Sequence, residues 1–266
     1  MNMKAIYLIT GLLICGHAWA QQQSGRVVYD FTRKMMLRTD VAGGGPGMEM
    51  APPPQERTHV IKLEVLFGNN QMLRRSLEDN TPPEFGNDNG IRFHVGMGDD
   101  DITWLNFTES RKVEQKEFAA KQYLVSDSVR KLNWKLTGET KNILGYACQQ
   151  ATTMRSGKRN MISMENGVMN RKEVPDTSNI VAWFTPAIPV SAGPDFEGQL
   201  PGLILQIDVN GNTTYKAVEV SPKVDMAAIK EPKKGKKVTA EEFSKERDKT
   251  MQEMQRSGGR NTIHMN

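Results

Sequence analysis

The chain has 266 residues, 38% of them hydrophobic and 25% charged, and a formal net charge of +4, enough for one large domain or two small ones. Two cysteines are too few for a disulfide-stapled scaffold. The small basic surplus comes with no base-reading module, so nucleic acid is not an expected partner.

The first element is a leader. Lys4 precedes an uncharged apolar stretch from Ala5 to Cys15, and Ala18-Trp19-Ala20 places small residues where a signal peptidase reads them. The pattern predicts a signal peptide over residues 1–20, cleavage after Ala20, and a product starting at Gln21 that is exported to the periplasm or beyond. A lipoprotein signal at Cys15 is disfavoured by the bulky Ile14 before it. The apolar stretch is shorter than the roughly 20 residues a bilayer span needs, and no later stretch is longer, so no transmembrane anchor is expected. Removing residues 1–20 takes away Lys4 and no acid, leaving +3, and strands Cys148 without an intramolecular partner.

After the leader, apolar residues recur with a period of two, the signature of strands. Arg26 to Thr32 alternates Val27, Tyr29 and Phe31. A Gly/Pro-rich loop follows from Val41 to Gln55, then a strand from His59 to Phe67 carrying Ile61, Leu63, Val65 and Phe67 on one side. A second polar loop runs from Glu78 to Asp101, and Ile102 to Phe107 resumes with Trp104. Gln122 to Ser126 is a short strand; Leu132, Trp134 and Leu136 are expected on one face of the next. In Gly145 to Thr153, Tyr146 and Cys148 share a face, and burial of the thiol is expected. Strands are also expected at Met161 to Asn166, Ile180 to Thr185 and Leu203 to Val209. Asn210-Gly211 then tolerates positive φ and turns the chain into the returning strand Thr213 to Val220.

The end differs. Pro222 to Val238 reads as a basic connector, and Thr239-Ala240-Glu241-Glu242 matches a capping box opening a charged helix with Phe243, Met251 and Met254. Residues 230–260 hold ten basic and six acidic side chains, interleaved as on a solvated face. Short strands with few helices between them imply antiparallel pairing. The expectation is a mainly β fold: one antiparallel, strongly curved sheet with long loops over 21–222, then a basic connector, a charged helix and a flexible tail over 223–266.

One run of motifs is specific. Trp183-Phe184-Thr185-Pro186, Ile188-Pro189, Gly193-Pro194 and Leu200-Pro201-Gly202-Leu203-Ile204 follow one another closely. This resembles the GLPGLI family, exported proteins of diderm bacteria named after that hexapeptide. Tyr123-Leu124-Val125, Trp134-Lys135-Leu136, Lys141-Asn142-Ile143-Leu144-Gly145-Tyr146 and Pro232-Lys233-Lys234-Gly235-Lys236 extend the resemblance over most of the chain. Gln199 stands where the hexapeptide has its first glycine. The resemblance implies an envelope compartment and, since some members are encoded near outer-membrane transporters, an envelope partner; it implies no reaction. Physically, Pro201-Gly202 aims the chain into the strand at Leu203, and the earlier prolines stiffen the loop.

Catalytic signatures are missing. His59, His94 and His264 are widely spaced, no Gly-x-Ser-x-Gly elbow exists, and Cys148 has no local activating neighbours. Asp99-Asp100-Asp101, with Asp88, lacks the spacing of a calcium loop. Met48, Met50, Met161, Met164 and Met169 fall short of a copper-binding repeat. No cofactor and no metal site is expected. The preferred reading is a non-catalytic envelope protein that binds a partner protein. The alternative is a carrier of a lipid or other apolar ligand on a sheet face around Trp104, Trp134 and Tyr146; an enzyme comes third.

Overall fold

The computed structural model describes residues 22–37, 55–77, 101–165 and 168–258. The expected leader, most of the Gly/Pro-rich loop, residues 78–100 with Asp88, Asp99 and Asp100, and the last residues lie outside that set, as do Met48 and Met50.

Among the described residues, twelve strands form one sheet: β1 (Gly25–Leu37), β2 (Gln55–Gly68), β3 (Gln71–Ser76), β4 (Ile102–Asn106), β5 (Arg111–Phe118), β6 (Lys121–Ser128), β7 (Lys135–Ile143), β8 (Tyr146–Glu165), β9 (Val168–Thr185), β10 (Leu203–Val209), β11 (Thr213–Ser221) and β12 (Lys236–Thr239). An α-helix, α1 (Ala240–Gly258), follows β12. The spatial order is β12-β6-β5-β4-β3-β2-β1-β11-β10-β9-β8-β7. Every pairing is antiparallel except β12 on β6, and the two ends do not meet, so the sheet is not a barrel. The mainly β, antiparallel expectation therefore holds, with the charged helix at its end.

Period-two alternation gives the sheet two apolar faces. On the first, Val27, Tyr29, Phe31, Leu63, Val65 and Phe67 belong to the large core that extends to Ile207 and Tyr215. On the second, Leu66, Leu73, Trp104, Val113 and Leu124 form a smaller cluster, closed by Ile229 with Val224 and Met226 from the segment after β11. That segment contains a 3-10 turn at Met226–Ala228, capped by Asp225 Oδ1, which accepts from the Ala227 amide at 2.9 Å. A third cluster, Tyr123, Val125 and Val238, seats α1 through Phe243, whose ring stands edge-on to Tyr123 at 5.1 Å.

Three strands were not read from the sequence. β3 follows β2 through Asn69-Asn70, both at positive φ, and β5 meets β6 through Ala119-Ala120, also at positive φ. Asparagine tolerates that region; alanine does so only when the surrounding pairing imposes it. β12 falls in the expected connector and instead joins the sheet. One further expectation is corrected. Leu132, Trp134 and Leu136 do not share a strand face: β7 begins at Lys135, Trp134 packs on the main core, and Leu136 is 64% exposed. Its register breaks between Leu136 and Thr140, a stretch containing Gly138 at φ +84°, as a bulge does.

β8 and β9 outrun their neighbours. β10 pairs with β9 only as far as Val209↔Ile180, and β7 pairs with β8 only as far as Lys135↔Thr152. Beyond these points the two strands continue opposite each other to Glu165↔Val168. At about 3.3 Å per residue this is a two-stranded arm on the order of 40 Å long.

Candidate functional site

The proline-rich segment between β9 and β10 folds back over the main core. Ile188, Ala192, Phe196 and Leu200 are buried in it. Its ends are laced together: the Leu203 amide donates to the Ile188 carbonyl at 3.0 Å and the Ile204 amide to the Ala192 carbonyl at 2.9 Å. Tyr29, fully buried on central strand β1, donates its hydroxyl to the Ile204 carbonyl at 2.6 Å. Of the motif residues, Gly193, Pro194, Leu200, Gly202, Leu203 and Ile204 are buried, while Pro186, Pro189 and Pro201 are exposed. Gly202 is required by proximity: a Cβ there would lie 2.3 Å from the Thr185 carbonyl oxygen. Trp183 is half-buried, with the Lys141 ammonium 4.1 Å from its ring centre.

Gln199 has a function of its own. Its Oε1 accepts from the Leu132 amide at 3.0 Å and from the Trp134 indole Nε1 at 2.9 Å. Trp134 in turn stands edge-on to Phe196 at 5.6 Å. This side chain thus ties the segment before β7 to the loop.

Beneath the loop the core turns polar. Arg74 of β3 donates to the Pro194 carbonyl and, at 2.8 Å, to Thr103 Oγ1 on β4. Lys112 of β5 lies 3.6 Å from Glu114 and 3.8 Å from Glu197 of the loop, and Lys116 lies 3.1 Å from Glu114. Burial opposes the charge on Arg74, but Glu197 and Asp195 outweigh it and hold the guanidinium above its ordinary pKa. Burial likewise works against Lys112, and Glu197 and Glu114 reverse the sign. Burial pushes Glu114 up, yet Lys116, Lys112 and Arg74 bring it below the carboxylate range. Glu197 is 5% exposed and its Oε2 has no hydrogen-bond partner. This mixed network pins the loop to β3–β5. It was missed because the charged alternation of Lys112, Glu114 and Lys116 does not look like a core-facing strand.

The three aromatics proposed as an apolar face are not together. Trp134 and Tyr146 pack on the main core, whereas Trp104 belongs to the cluster on the opposite face. Trp104 Nε1 donates to Gln71 Oε1 at 3.2 Å, and the Arg111 guanidinium sits 4.9 Å from its ring centre. Cys148 is buried, its thiol directed at the Tyr146 carbonyl at 3.4 Å and its pKa raised by burial. Among the described residues, no three His, Cys, Asp or Glu side chains come together as a metal site, and no helix is long and apolar enough to cross a membrane.

A family model described as "Protein of unknown function (Porph_ging)" matches residues 134–206, the stretch from Trp134 through the laced loop into β10. No curated protein matches the chain. Solved structures of PNGF-II in space groups P21 and C2 are similar over 86% and 84% of this chain, at 16% identity, with TM-scores of 0.49 and 0.48. The match covers 34% and 33% of those chains, so this chain spans about a third of their length.

Proposed function

We propose that this is a non-catalytic protein of the cell envelope, related to the GLPGLI family, that binds a partner polypeptide through the β8–β9 arm. The observation that carries the reading is the arm's lack of flanking strands among the described residues. A two-stranded ribbon is marginal by itself, and among the described residues no further strand pairs with either of its edges. Met154 to Gly157 on its near half are exposed. Beside the arm, the outer edge of β7 is also unpaired among the described residues, so one free edge runs along β7 and on to β8 past Thr152. An extended segment of a partner could add to that edge by main-chain hydrogen bonding. The loop motif serves this reading as the brace that holds β9 and β10 at the base of the arm.

The test is an arm deletion in which residues 157–177 are replaced by Asn-Gly. The expected result is a protein with unchanged thermal unfolding that no longer cross-links, in cells, to the polypeptide captured by a photoreactive residue at position 156. Capture unchanged by the deletion overturns the reading. A carrier of an amphiphile is the second reading, favoured by a cavity on the other face of the sheet.

A further inference from the structure

The sheet face opposite the proline-rich loop carries an open cavity of about 450 Å³, within the size range of small-ligand sites. Its charged wall is built around Glu64 of β2, which is only 4% exposed. Arg26 of β1 donates Nε to Glu64 Oε1, and Arg75 of β3 approaches Oε2 with Nε at 2.9 Å and Nη2 at 2.7 Å. One buried carboxylate on the middle strand therefore fixes two guanidiniums from the strands on either side. Lys223 adds a third cation.

Each acid nearby has a partner, although Asp225, which also lines the cavity, keeps its charge. Glu64 is taken by the two arginines, Asp225 caps the 3-10 turn, and exposed Glu219 accepts from Arg26 Nη1 at 2.8 Å. Between them the guanidiniums carry more N–H donors than Glu64 and Glu219 engage. The facing wall is apolar: Leu66, Val224 and Ala228. Fixed cationic donors on one side and hydrocarbon on the other suit a molecule with the same two halves. Because the guanidiniums are already ordered by Glu64, little side-chain entropy is lost when an anion arrives.

We infer that this cavity binds a small amphiphilic oxyanion, its carboxylate or phosphate-monoester head on Arg75 and Lys223 and its hydrocarbon body on Leu66, Val224 and Ala228. The site lies on the sheet body and does not depend on the β8–β9 arm, so either assignment can fail without the other.

Isothermal titration of the purified protein with hexyl phosphate, hexanoate, hexanol and inorganic phosphate tests it. Hexyl phosphate or hexanoate binds, whichever is tighter identifying the head group, while hexanol does not. Arg75→Gln weakens binding by about tenfold, the loss of a charge-assisted contact. Lys223→Gln, at an exposed position, weakens it by about threefold, and Ala228→Trp abolishes it by filling the cavity. Free phosphate binding as tightly as hexyl phosphate overturns the amphiphile assignment. No binding of either charged probe, or binding that Lys223→Gln leaves unchanged, overturns the site.

Discussion

Gln199 Oε1 and Trp134 Nε1 are joined by a 2.9 Å hydrogen bond across 65 residues of sequence, and the same oxygen holds the Leu132 amide. The substitution Gln199→Gly removes the shared acceptor and leaves two donors to find water. The expected loss is about 1–2 kcal/mol, read as a lowered urea midpoint with unchanged slope. A variant as stable as the parent would mean that core packing and the Thr153 bond to the Asn133 carbonyl hold the Trp134 segment without that acceptor.

Gly202 is the tightest point of the loop. Gly202→Ala must displace the Thr185 carbonyl, because the added carbon would sit 2.3 Å from it, and overpacking of this kind costs about 2–3 kcal/mol. Gly157→Ala, where nothing lies within 4 Å, is the control and should stay within about 0.5 kcal/mol. Equal unfolding midpoints for the two variants would refute the close-approach account.

Stability should fall in acid through Glu64. Burial pushes this carboxyl up, but Arg26 and Arg75 outweigh it and leave the pKa lowered. A depressed folded-state pKa means stabilisation that is present above the unfolded value, about 4.3, and is lost as pH drops through the folded value. Glu64→Gln should therefore be less stable than the parent at pH 7, and the gap should close toward pH 3. Parallel thermal-melting curves from pH 7 to 3 would contradict this.

The capping box at α1 is formed in both directions: the Thr239 amide donates to Glu242 Oε2 at 2.8 Å and the Glu242 amide to Thr239 Oγ1 at 3.2 Å. Thr239→Ala should weaken the helix by about 1 kcal/mol, and Phe243→Ala should detach it from Tyr123 and Phe118. Amide exchange should then accelerate in 240–253 and leave β1 and β11 unchanged. Acceleration throughout the sheet would show that α1 supports the whole core.

Cys148 should behave as an inert thiol. It is fully buried and burial raises its pKa, both of which suppress the reactive thiolate. A disulfide reagent at pH 8 should label it only at the rate of unfolding, and immediate labelling of the native protein would rule this out.

Much of the sheet was legible because its central strands obey a simple rule. In β1, β2 and β10, apolar side chains alternate against a core on one face, so Val27, Tyr29 and Phe31, or Leu63, Val65 and Phe67, announce themselves. Asn210-Gly211 takes positive φ at both residues, as turn chemistry requires. The outer strands obey a different rule. β5 faces the loop with Lys112, Glu114 and Lys116, which pair with one another and with Glu197, and β12 has a single buried residue, Val238. Charge neutralised across strands leaves no trace in a hydrophobic pattern. The Arg26–Glu64–Arg75 cluster was hidden for the same reason: its members meet through strand register, and register is not written in any one segment.

The position of β1 between β2 and β11 carries a consequence for the order of events in folding. Residues 26–33 find one neighbour in 59–66 but the other only in 213–221. A chain emerging from its N-terminus therefore holds one side of this strand bare until residues 213–221 have been made. Such late closure slows folding and exposes a long apolar edge to other chains in the interval. Fragments that stop before residue 213 should therefore be prone to aggregate.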